Sequence, residues 1–182
     1  MLLSDNTLKD YMSKGLIDIK PPVKDRNIRP VGIRIHLGGK ILVPKPDQII
    51  DPTSDQEVGY KEHYLDDNDY ILSSNEFVLG ATMEQINVDK NIVAILDGRS
   101  TMARLGLAIH CSSFVVDGIH GDPRAIVLEI KNFSPYSILL KRFMAVGMLS
   151  FMLLTDNVQQ DVQTQYSGQV DVLAPNLKNQ FM

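Results

Sequence analysis

Apolar and polar positions along the chain fall into two patterns. In "SDNTLKDYMSKG", residues 4–15, Leu8, Tyr11 and Met12 share a face at helical spacing. Ser4 stands where a cap belongs and Gly15 where a helix stops, so the stretch predicts one short N-terminal helix. After it the period falls to two. "GIRIHLG" sets Ile33, Ile35 and Leu37 against Arg34 and His36, the alternation of a half-buried strand. "KILVP", "YILSS", "EFVLGATMEQINV", "NIVAILDG", "RAIVLEIKNF" and "SILLKRFMAVGMLSFMLL" follow, bounded by Gly, Pro, Asn or Asp. Many short strands with turns between them predict a mainly β chain, a distorted antiparallel β barrel or jelly-roll-like double sheet. Residues 44–69, proline-rich and acidic, read as a surface excursion within one domain spanning 1–155. Residues 156–182 are polar and rich in Gln, the composition of an arm with little core of its own, ordered only against something else.

Composition narrows the class. The 182 residues are 44% hydrophobic and 22% charged, with a net charge of -4, as in a soluble globular domain without the basic patch of a duplex nucleic-acid binder. The single cysteine, Cys111, excludes an intrachain disulfide and reads as a small buried apolar residue. No stretch reaches the roughly 18 apolar residues of a membrane span, and the acids near the N-terminus do not fit a secretory signal. No nucleic-acid or membrane partner is expected, and the cytoplasm is the expected compartment.

Polar groups collect in residues 96–130, "LDGRSTMARLGLAIHCSSFVVDGIHGDPRAIVLEI". Gly98 ends a strand, and Ser100 or Thr101 can cap a short helical turn through Arg104. Arg99 beside two hydroxyls suits a phosphate; equally, the turn can be capped with its arginines in surface ion pairs. Glu129 interrupts the apolar run "AIVLEI". It either faces outward or is buried with a partner, and burial would raise its pKa toward the range of a proton shuttle. Asp117 fits a turn and His110 a satisfied core histidine. Neither His36, His63, His110 nor His120 has metal-ligand spacing with Cys111, and the zinc deaminase signature is absent.

"LDGRSTMARLGLAIH" closely resembles the core motif of the dCTP deaminases, a branch of the trimeric dUTPase-like superfamily. "LLSDNTLKDYMSKGLIDIKP", "RPVGIRIHLGGK", "FVLGATMEQINVDKNIVAILDGRS" and "IVLEIKN" fall in the family's order and extend the resemblance over most of the chain. The resemblance implies a dUTPase-like barrel, a homotrimer with active sites shared between subunits, and deamination of dCTP to dUTP and ammonia without zinc. Mg²⁺ would enter bound to the triphosphate. Arg99, Ser100 and Thr101 would meet the triphosphate and the reacting water, and Arg104 would cross a subunit boundary. Glu129 would be the catalytic carboxylate and Asp117 would lie near the deoxyribose. Backbone from Ser113 to Val116 would read the pyrimidine, and Tyr166 and Gln169 would belong to an arm closing over the site. The chain departs from the family pattern at four places. Arg34 replaces an aspartate, Val115 an arginine and Gln165 a lysine, and the 117–129 connection is longer. Alternative readings are a dUTP diphosphatase, a bifunctional enzyme giving dUMP, and a non-catalytic nucleotide-binding regulator.

Overall fold

The computed structural model describes residues 1–117, 119–159, 166 and 168–178. The chain opens with helix α1 (Asp5–Ser13), followed by β1 (Ile17–Lys20), β2 (Ile28–Arg29), β3 (Gly32–His36), β4 (Lys40–Pro44) and β5 (Tyr60–Tyr64). Then come β6 (Tyr70–Leu72), β7 (Phe77–Val88), β8 (Ile92–Gly98), helix α2 (Ser100–Arg104), β9 (Leu107–Ala108), β10 (Val115–Val116), β11 (Arg124–Asn132), β12 (Ile138–Leu140) and β13 (Ala145–Leu153). Among the described residues no helix is long and apolar enough to cross a membrane.

The strands form two main antiparallel sheets around one core, the mainly β architecture the alternation predicts. One sheet runs β5-β4-β7-β11-β9, with β1 also on β7; the other runs β10-β8-β13-β3-β2. Ile33 and Ile35 of β3, Leu128 and Ile130 of β11, and Leu149 and Phe151 of β13 all point inward and are fully buried. Their period-two spacing gives each strand one buried face and fixes its register. Leu8 of α1 is also fully buried, with Tyr11 and Met12 packed against the same core. Gly15 takes φ +72° after the helix, where a side chain would be strained. The Ser4 hydroxyl lies 3.3 Å from that of Thr7 and makes no cap hydrogen bond.

Two features differ from the sequence reading. The 44–69 excursion contains a strand, β5, which pairs along the whole of β4. Its burial pattern shows no fully buried position, so no apolar alternation marked it. At α2 the cap position falls to Arg99, in extended backbone, and no side chain caps the turn. Ser100 and Thr101 therefore lie inside the helix. The Arg99 guanidinium explains the shift: its Nη1 donates to the Ala145 carbonyl at 2.6 Å, pinning the residue to β13.

The ladder between β7 and β11 carries an irregularity that matters for the site. Ala125 faces Gln85 and Val127 faces Ala81, so β7 contains extra residues at this point. Thr82 repairs the gap. Its hydroxyl donates to the Glu84 carbonyl at 2.6 Å and accepts the Ile126 N–H at 2.9 Å. Glu84 turns into the structure, where Oε2 accepts the His36 N–H at 2.9 Å and Oε1 lies 2.6 Å from His36 Nδ1.

Candidate active site

β11 carries Glu129 to the face of its sheet opposite the main core. The Glu129 N–H donates to the Ile109 carbonyl at 3.0 Å. In return the Cys111 N–H donates to Glu129 Oε2 at 2.7 Å. The two segments thus lock together, and one carboxylate oxygen is held by a backbone donor. Among the described residues, Oε1 has no hydrogen-bond partner. The carboxylate is half-buried and borders a cavity of about 380 Å³. Cys111 is exposed and not a core residue. Its thiol is pushed up from its ordinary pKa by partial burial first and by the Glu129 charge second.

The cavity is lined by residues of both sheets: Glu129, Val127 and Leu79 from one, and Leu96, Val115 and Val116 from the other. Asp117 and Ser113, both exposed, stand at its edge. β10 is the outer strand of its sheet, so one row of its backbone N–H and C=O groups lacks a ladder partner and faces outward. His110 also borders the cavity and is half-buried, its Nε2 3.9 Å from Asp97 Oδ1.

The arm supplies the remaining wall. Tyr166, Gln169, Leu173 and Pro175 border the cavity. The Ala125 N–H donates to the Gln169 carbonyl at 3.0 Å, extending the edge of β11. Val172, 1% exposed, packs against Leu42, Leu79, Ala81 and Ala125 in a small second core. Lys40 lies 3.8 Å from Asp171. The described part of the arm thus rests on its own barrel through one apolar plug. Gln165 lies outside the described residues.

Six of the sequence-derived candidates therefore meet at one cavity: Glu129, Asp117, Ser113, Val116, Tyr166 and Gln169. Arg99, Ser100, Thr101 and Arg104 do not line it; the last three are exposed and Arg99 is half-buried. Burial pushes the Arg99 guanidinium pKa down, and the nearby charges of Arg34 and Arg29 push the same way. Arg34, where the family has an aspartate, thus adds to a basic patch on the other sheet. Sequence reasoning missed two participants. The Cys111 N–H is a backbone group with no signature in the sequence. Arg124 lines the cavity and could have been noticed as the one charge between "DP" and the apolar run "AIVL".

Residues 2–154 match the dCTP deaminase-like family. A protein of Methanosphaera stadtmanae named dCTP deaminase, dUMP-forming, is 29% identical over 99% of this chain and 95% of its own. A dCTP deaminase of Idiomarina loihiensis is 32% identical over 85% of this chain and 84% of its own. In fold, the chain resembles the 2'-deoxycytidine 5'-triphosphate deaminase of Agrobacterium tumefaciens with a TM-score of 0.64, at 15% identity over 84% of this chain and 47% of that one.

Proposed function

Because the chain belongs to the dCTP deaminase-like family, we propose that it hydrolyses dCTP to dUTP and ammonia in pyrimidine deoxynucleotide metabolism. The observation that carries this reading is the Glu129 carboxylate, fixed at Oε2 by the Cys111 N–H and open at Oε1 beside the cavity. Water adds to C4 of cytosine as Glu129 takes one of its protons and delivers it to ring N3. From the tetrahedral adduct Glu129 then takes the proton of the C4 hydroxyl and passes it to the amino group. The C4–N bond breaks, the C4 carbonyl forms and the amino group leaves as ammonia. This is positioning plus general acid–base catalysis. The outer backbone edge of β10, near Ser113 and Val116, reads the pyrimidine, and Asp117 lies by the deoxyribose. Mg²⁺ arrives chelated by the triphosphate, and the mechanism assigns zinc no part.

The active unit in this reading is a cytoplasmic homotrimer. Arg99, Ser100, Thr101 and Arg104 stand outside the cavity of their own chain, so they serve the cavity of a neighbour. There Arg99 and Thr101 bind the triphosphate, Ser100 places the water and Arg104 braces the site. Exposed apolar surface beside α2 supports a protomer contact. Leu105, Phe133 and Tyr136 are all exposed there, tied together by Phe133 N–H to the Gly106 carbonyl and Tyr136 OH to the Leu105 carbonyl.

A second reading, in which dUMP is the final product, rests on the dUMP-forming relative that aligns with 99% of this chain. Asp117 would then also help water attack the α-phosphate. Product analysis decides. Incubation with dCTP and Mg²⁺ should release ammonia; dUTP alongside it supports the deaminase, and dUMP with pyrophosphate supports the bifunctional enzyme. Absence of ammonia removes both.

The arm acts as a lid, and Val172→Asp tests it. A carboxylate cannot stay unpaired at a position this buried, so the arm should release. The barrel core is separate from the Val172 cluster, so the melting temperature should hold. KM for dCTP should rise about 10-fold, as contacts from Tyr166 and Gln169 are lost. Steady-state kinetics showing an unchanged KM would remove the lid.

A further inference from the structure

Among the described residues that line the cavity, Arg124 is the only lysine or arginine. Its Nε is buried with no hydrogen-bond partner, and no described carboxylate pairs with it. A buried guanidinium donor left without a partner is costly, so the arrangement is one that a ligand completes. No described residue competes for the group.

The register says which part of a nucleotide would complete it. Arg124 faces Ile86 and Glu129 faces Leu79 on the same neighbouring strand. Arg124 stands five positions before Glu129 on β11, about 16 Å of extended chain. The odd spacing starts the two side chains from opposite faces of the strand, and both reach the lining of the one cavity. A deoxynucleotide is itself elongated, with its base at one end and its phosphates at the other. If Glu129 meets the reacting carbon of the base, Arg124 stands at the opposite end of the cavity. Asp117 lies on the lining as well and would repel a phosphate approaching the sugar side. A cation close by offsets that repulsion.

We propose that Arg124 is a substrate-positioning residue whose guanidinium binds the α-phosphate of the nucleotide from within the subunit that supplies Glu129. The inference rests on the nucleotide-deaminating reading of this cavity. It assigns the chain a phosphate contact of its own, separate from the Arg99–Arg104 segment. Val115, where the family pattern has an arginine, is 46% exposed at the same cavity. Arg124 thus brings to this chain's cavity a guanidinium from a different strand.

The test compares Arg124→Gln and Arg124→Lys with the parent, using dCTP turnover and calorimetric binding of dCMP and deoxycytidine. Arg124→Gln should raise KM for dCTP about 10-fold or more, the scale of one charged hydrogen bond, with kcat within about 3-fold. It should weaken dCMP by a similar factor and leave deoxycytidine unchanged. Arg124→Lys should recover most of the loss. Equal weakening of dCMP and deoxycytidine, or a fall in kcat at constant KM, overturns the assignment, as does an unaltered KM. If Arg124→Gln does not fold, Arg124→Lys against Arg124→Met, both retaining the apolar stem, carries the same comparison. A parent protein that binds dCMP but releases no ammonia from dCTP would refute the deaminase reading while leaving the phosphate contact to be judged on dCMP.

Discussion

Glu129→Gln should lower the rate of ammonia release from dCTP by at least about 100-fold, the usual share of a general acid–base group. The swap is close to isosteric, and the site explains why the protein should tolerate it. The glutamine carbonyl oxygen can accept the Cys111 N–H that Oε2 now accepts at 2.7 Å. The amide NH₂ then takes the place of Oε1, facing the cavity, where it can neither accept a proton nor return one. Nucleotide affinity should stay within a few-fold of the parent and the melting curve should coincide with it. Asp117→Asn should affect ammonia release less and KM more. Ammonia assays on both variants decide the matter: a Glu129→Gln protein working at the parent rate would end the mechanism, and a larger effect at Asp117 would move the chemistry to the α-phosphate.

Mixed trimers of two inactive variants should regain activity. Glu129→Gln removes the proton shuttle from its own cavity. Arg104→Ala removes an exposed side chain at the end of α2, outside that cavity, and should cost about 100-fold through lost electrostatic support of the transition state. In a head-to-tail ring each site draws Glu129 from one protomer and Arg104 from the next. Random assembly of the two variants then leaves about a quarter of the sites with both groups intact. Co-expressed, differently tagged protomers purified through both tags exclude the inactive unmixed trimers, so they should show about a third of parental kcat against a background near 1%. Mixed material no more active than its components would place both groups within one chain.

Much of the barrel was legible because its strands have one apolar face. Ile33 and Ile35, or Leu128 and Ile130, declare their buried side by spacing alone. β5 was not legible, since an edge strand with no buried residue leaves no alternation to read. The N-terminal helix and its cap position were legible from Ser4, Leu8, Tyr11 and Met12, but the capping hydrogen bond is not made, because the Ser4 hydroxyl lies against that of Thr7. At the site, Glu129 and Asp117 stood out as polar groups in or beside apolar runs. The Cys111 N–H did not, since every residue but proline has one. Arg124 lay in plain view, but only the folded chain brings it to the same cavity as Glu129. The arm's dependence on Val172 was hidden by the polar composition around it.

The Thr82 splint has a consequence for how the family can vary. The extra residues of β7 and the two hydrogen bonds of the Thr82 hydroxyl hold the Arg124 end of β11 in fixed register with the Glu129 end. β11 begins at Arg124, and upstream of it the Val88 N–H donates to the Ile119 carbonyl at 3.0 Å, tying the described part of the connection to the end of β7. Residues gained or lost in that connection are absorbed upstream and do not shift Glu129 along its strand. Evolution can therefore edit the rim of the cavity by insertion, sampling new contacts to sugar and phosphate, while the carboxylate keeps its place.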